Sequence, residues 1–118
     1  MSHIVTINIE LKDKQATIAA CNRLGWTVKE NTQIKYADGN TPTGTAIYIA
    51  GWAYPIVITE DGRVIGDNYG GSWGDPAKLN QLKQAYGAEV VKIMAQRQGR
   101  SVCESQNEDG SITLTVRY

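Results

Sequence analysis

The chain has 118 residues, and its 12 basic and 12 acidic side chains leave no formal net charge. That length suits one domain with a real core, and a hydrophobic content of 42% belongs to a globular rather than a disordered chain. Balanced charge argues against a nucleic-acid or anionic-membrane surface, and no apolar run approaches the ~18–20 residues that span a bilayer. The start, MSHIVTINIELKDK, alternates like a strand and lacks the charged start and apolar centre of a signal peptide, so a soluble intracellular protein is expected.

Residues 4–11 form the first predicted strand, with Val5, Ile7, Ile9 and Leu11 on one face and Thr6, Asn8 and Glu10 on the other. Asp13 is placed to cap a helix over residues 14–24, whose thin apolar side (Ala16, Ile18, Ala19, Cys21, Leu24) requires tertiary support, and Gly25 closes it. Trp26 and Val28 open an extended piece, and residues 32–37 read as a separate short strand before a loop of turn formers at 38–44. Residues 45–50 form the next strand, with Ile47 and Ile49 on one face. Residues 51–54 turn the chain, and Ile56 and Ile58 share a face in a strand that Pro55 can begin. Glu60-Asp61-Gly62 signals a hairpin returning through residues 63–67.

A glycine-rich loop, residues 68–74, leads into the longest element, a helix predicted over residues 76–98. Leu79, Leu82, Tyr86, Val90 and Ile93 follow at steps of three and four and form one stripe. Asp75 caps it, Pro76 fits its first position, Arg97 suits the negative pole, and Gly99 supplies a left-handed end. Residues 101–105 and 111–117 make a last hairpin, with Ile112, Leu114 and Val116 on a common face. The order predicts a single α+β domain over residues 1–118: a mainly antiparallel sheet with one short and one long helix packed on one face.

Chemistry is sparse. His3, the only histidine, lies near a terminus, and its potential metal-binding role with Met1 and Ser2 is lost if Met1 is removed. Cys21 and Cys103 lack C-x-x-C spacing and read as buried apolar thiols. Glu60, Asp61, Asp67 and Asp75 gather with Asn68 and offer a hard-cation site or a carboxylate pair. However, Asp61 already has a turn role and Asp75 a cap role, and no D-x-D-x-D-G spacing occurs. The loop Tyr69-Gly70-Gly71-Ser72-Trp73-Gly74 matches no phosphate-binding motif, and Asp75 puts a negative charge where a phosphate would sit. No catalytic, cofactor-binding or metal residue is therefore assigned, and no cofactor is expected. The aromatic residues crowd into one stretch: Tyr36, Tyr48, Trp52, Tyr54, Tyr69 and Trp73. Trp52 and Tyr54 sit at a turn where a core side chain is not required. Trp52 in particular is expected to stand exposed as a partner anchor whose loss leaves folding intact.

Met1-Ser2-His3, Leu24-Gly25-Trp26, Trp73-Gly74 and Glu108-Asp109-Gly110-Ser111-Ile112, in that order and spacing, resemble the hypothetical chloroplast reading frame thirty-five family. It groups small proteins of algal plastids and cyanobacteria as a domain of unknown function. The chain departs from the family's pattern in having Ile4 in place of Phe and no phenylalanine at all, so the resemblance is that expected of a distant or phage-borne member. The resemblance implies an oxygenic phototroph or its phage, and cytoplasm or plastid stroma; it brings no catalytic residues.

Two readings follow. The first is a non-enzymatic accessory module that binds another protein through Trp52, Tyr54, Tyr69 and Trp73. The alternative is a small-molecule-binding protein or modest enzyme that uses Asp61, Asp67 or Asp75 near the loop from sheet to long helix. An exposed flat aromatic patch would favour the first, and a closed pocket with convergent carboxylates the second.

Overall fold

Helix ends set the frame. In the computed structural model, which describes residues 5–6, 11–67, 74–108 and 111–117, α1 spans Lys14–Leu24. Asp13 accepts a hydrogen bond from the Ala16 amide at 3.0 Å, as an N-cap should. At the other end Gly25 adopts φ 75°, so that the Trp26 amide reaches the Cys21 carbonyl and the Gly25 amide that of Asn22. Those two bonds satisfy carbonyls that the helix leaves open, and they turn the Trp26 ring back into the core. The long helix α2 spans Ala77–Arg97 and ends the same way, with Gly99 at φ 70° and the Arg100 amide on the Ala95 carbonyl at 2.8 Å. At its start, Asp75 Oδ1 accepts from the Ala77 amide at 2.9 Å.

The strands are β1 (Val5–Thr6), β2 (Thr27–Gln33), β3 (Thr43–Tyr48), β4 (Ile56–Ile58) and β5 (Val64–Gly66), joined antiparallel in the order β1-β5-β4-β3-β2. Strands β6 (Ser101–Gln106) and β7 (Ile112–Arg117) form a separate hairpin beyond α2. The expected α+β architecture is present, with both helices packed on one sheet face. Of the first predicted strand, residues 4 and 7–10 lie outside the described residues. The extended piece opened by Trp26 and Val28 and the first two residues of the strand predicted over 32–37 are one strand, β2, which ends at Gln33, so residues 34–37 are loop rather than strand. Within β2 the register shifts between Lys29 and Thr32, and Asn31, at φ 50°, takes up the extra residue of a bulge.

Core packing separates the two sheet faces. Ile47, Ile56 and Val64 join Leu11, Ala20, Cys21, Trp26, Leu82 and Ala85 beneath the helices. On the opposite face Val57 and Ile65 are buried by Tyr36, with Ile34 and Tyr54 against them. The stripe predicted on α2 is only part of what it buries. Leu82 and Ile93 are buried, but so are Ala85, Ala88 and Ala95, whereas Leu79, Tyr86 and Val90 are half-exposed. Alanines on both helices, Ala16 and Ala20 on α1 and Ala85 and Ala88 on α2, let the backbones approach closely. The radius of gyration, 15.4 Å, exceeds the ~13.5 Å of a compact chain of this length, in keeping with a body 51 Å long and only 21 Å thick.

Gly44 marks a close approach within the sheet. A Cβ there would press into the Ile58 carbonyl, so β3 and β4 meet at a point that only glycine allows. Cys21 is buried, and burial pushes its thiol up to about 11. Cys103, expected to be buried, is exposed because it alternates onto the outer face of β6. Neither forms a disulfide. Among the described residues no helix is long and apolar enough to cross a membrane.

Candidate functional site

The turn between β3 and β4 carries two of the aromatic residues singled out from the sequence, and it directs them to different cores. Gly51, at φ 81°, starts the reversal, and the Trp52 amide closes it on the Ile49 carbonyl at 3.1 Å. Trp52 is half-buried against the helix-side core. Its Nε1–H donates to the Asp75 carbonyl at 3.1 Å, and its ring lies so close on Gly74 that a Cβ there would enter it. The expectation of a free-standing indole is thus corrected: the chain entering α2 lies against the turn and supplies a surface for the ring. Tyr54 goes the other way. It packs on Tyr36 with ring centroids 5.7 Å apart and planes tilted by 48°, and it too is half-buried. Tyr48 and Lys29 alternate onto this face away from the helices, with the Lys29 ammonium 5.2 Å from the Tyr48 ring centre. Tyr69, Trp73 and His3 lie outside the described residues.

Tyr36 belongs to the core, at 2% exposure. Its hydroxyl donates to the Pro55 carbonyl at 2.5 Å and lies 3.3 Å from the Ile65 carbonyl. Burial, aided by the charges of Asp67 and Asp38, pushes this phenol well above its ordinary range. It therefore stays protonated and locks the loop onto the sheet.

Of the carboxylates that lie near one another in the sequence, the fold sets Asp61 and Asp67 apart. Asp61 lies in the turn before β5, where hydrogen bonds from Thr59 and then Arg63 hold its carboxyl pKa below the ordinary range. Asp67 follows the opposite end of β5 and is buried, at 1% exposure. Asp75 caps α2 and accepts from Trp52. A catalytic pair needs its carboxyls within ~5–9.5 Å on one cleft, and Asp61 and Asp67 are separated by the whole of β5. Among the described residues no three His, Cys, Asp or Glu side chains form a metal-binding group; Asn68 lies outside them.

A cleft of about 810 Å³ opens elsewhere, between the C-terminal end of α1, the first half of α2 and the last hairpin, with Arg23, Gln81, Gln84, Glu104, Gln106 and Ile112 among its walls. One side is an ion network. Arg23 bonds Glu89 at 2.8 Å and also Glu104, while Lys92 reaches Glu104 at 3.2 Å. Burial works against the Arg23 charge, but the hydrogen bonds with Glu89 and Glu104 outweigh it and raise its pKa. The Arg23 hydrogen bond, followed by that from Lys92, holds the Glu104 carboxyl below its ordinary 4.5. The network ties α1, α2 and β6 together, and nothing local in the sequence reveals it, since Arg23 and Glu104 stand 81 positions apart. Within it, only the Glu89–Lys92 pair, three positions apart on one helix face, has a spacing that local sequence can express.

A pH dependence follows from the lowered pKa. The stability that Glu104 adds is fully present above about 4.5 and is lost as pH falls through the folded-state value, because the unfolded chain takes up its proton first. Glu104→Gln should lower stability by roughly 1 kcal/mol or less at pH 7, given partial solvent exposure. The gap from the parent should close between pH 4.5 and more acidic solution. Urea midpoints of both proteins across that range measure it, and a gap independent of pH would contradict the assignment.

The described residues thus define a two-layer α+β domain with an aromatic turn at one edge and a polar cleft beside its terminal hairpin. No protein-family profile, curated protein or solved structure matches the chain.

Proposed function

We propose that this protein is a non-enzymatic accessory module that binds another protein, in the cytoplasm or plastid stroma of an oxygenic phototroph or its phage. The setting rests on the resemblance described from the sequence. The binding role rests on one observation: Trp52 and Tyr54, two positions apart on one tight turn and directed to different cores, are each half-buried and held by contacts on their inner sides. Aromatic groups fixed in this way lose little entropy on binding, and Trp and Tyr supply a large share of interface energy. Among the described residues the only large apolar side chain that is mostly exposed is Met94, at 53%. Recognition would therefore use the open halves of oriented aromatics rather than a broad greasy patch. Tyr69 and Trp73 extend the same proposal from the sequence.

Tyr54→Ser tests it, because the Tyr36 hydroxyl and the helix-side core keep their own contacts. Bait protein carrying this change should keep its fold with stability lowered by about 1–2 kcal/mol, since the half-buried ring leaves Tyr36. It should lose a partner that the parent captures from a phototroph extract, with affinity weakened by about 2 kcal/mol or more. Undiminished capture would remove the turn from the interface.

The second reading, a site for a small polar molecule, is favoured by the 810 Å³ cleft, which lies within the ~300–1,000 Å³ of ligand pockets. Its location differs from the one expected around Asp61, Asp67 and Asp75.

A further inference from the structure

The five-stranded sheet ends in β1 and β2, and the hairpin sheet in β6 and β7; of these edges, β2 and β7 are built differently. Strand β2 carries the features that block edge pairing: a bulge, Asn31 at φ 50°, and the charges of Lys29 and Glu30, the latter paired with Lys14 at 2.7 Å. Strand β7, Ile112-Thr113-Leu114-Thr115-Val116-Arg117, has neither proline nor glycine nor a register shift, and its single charge comes at the last position. Among the described residues it pairs with β6 alone. The Asn107 amide donates to the Ser111 carbonyl at 2.8 Å, so the backbone of residue 111 faces β6. Alternation then aims residues 113, 115 and 117 at β6, and leaves the N–H and C=O groups of Ile112, Leu114 and Val116 along the open edge.

We propose that two copies of this chain join through β7, antiparallel about a two-fold axis at Leu114, to make a continuous four-stranded sheet. The choice of a second copy comes from the strand's own pattern. Residues 112–116 read apolar, Thr, apolar, Thr, apolar in either direction. About that axis Ile112 faces Val116 of the partner, Thr113 faces Thr115, and Leu114 meets its own copy. This register opposes only outward-directed residues as hydrogen-bonded pairs, so every open N–H and C=O of Ile112, Leu114 and Val116 finds a mate. It also keeps the half-buried apolar side chains of both hairpins on one face and sets no like charges opposite each other. The proposal is independent of the aromatic turn, which lies in the other sheet.

The test uses Thr113 and Thr115, which are exposed and oppose Ser105 and Cys103 within the chain, Thr113 also accepting a hydrogen bond from the Asn107 side-chain amide at 2.9 Å. Sedimentation equilibrium of the full chain over rising concentration should approach twice 12.9 kDa. Thr113→Lys with Thr115→Lys sets lysine against lysine twice, and should raise the dissociation constant roughly tenfold or more with an unchanged circular dichroism spectrum. Thr113→Lys with Thr115→Glu sets unlike charges opposite and should dimerise at least as well as the parent. A parent that stays monomeric throughout, or a dimer indifferent to the paired lysines, overturns the proposal. A Lys/Glu variant that is as weak as the Lys/Lys one overturns the register.

Discussion

Leu82→Ala is expected to cost about 2–5 kcal/mol, the loss seen when a buried leucine is truncated and its cavity stays open. Leu82 has no exposed surface and lies where α2 meets both the sheet and α1. Around it, Ala20 and Ala85 are too short to expand into the gap, and the capped helix ends hold α1 and α2 in place. With a total stability of ~5–15 kcal/mol for an ordinary domain, the variant should lose a large part of its denaturation midpoint. Lys83→Ala, one residue on and exposed, should shift it by ~0.5 kcal/mol at most. Urea titration of the pair measures the contrast, and equal losses would show that α2 presents another face to the core.

What the sequence revealed were features decided within a few residues. Asp13 and Gly25 bound α1 where expected, Gly99 ends α2, and Asp61-Gly62 turns β4 into β5 with Gly62 at φ 86°. Each depends on local backbone chemistry, which a short stretch carries whole. Features decided by distant partners were not legible. The burial of Ala85 and Ala88 depends on the small side chains of α1, so a stripe drawn through the large residues of α2 undercounts its inner face. The burial of Tyr36, counted from the sequence only as one of the clustered aromatics, was hidden because the carbonyls of Pro55 and Ile65 near its hydroxyl come from two other segments. Proximity in sequence misleads for a related reason at Asp61 and Asp67, which stand at opposite ends of β5. The cleft depends on a hairpin returning to a helix end more than eighty residues earlier.

The same distinction governs Trp52. A tight turn needs no indole, and from the sequence its removal should leave folding intact. In the fold, the segment entering α2 lies beside that turn. The ring covers Gly74 and part of the helix-side core, and Nε1–H serves the Asp75 carbonyl. Trp52→Ala would strip this contact at the joint between sheet and long helix, leave a gap over a residue with no side chain, and remove a donor. The expected loss is about 2–4 kcal/mol, below that of a fully buried tryptophan because the ring is half-exposed. Trp52→Phe keeps most of the packing and loses only the donor, so it should cost ~1 kcal/mol. Denaturation midpoints in the order parent, Phe, Ala would establish the ring as a structural clasp. A midpoint for Trp52→Ala within ~0.5 kcal/mol of the parent would show that the indole contributes nothing to holding α2 on the sheet. Because the Ala variant disturbs the fold itself, any loss of partner binding it causes carries no information about the interface, and Tyr54 is the residue through which that question is asked.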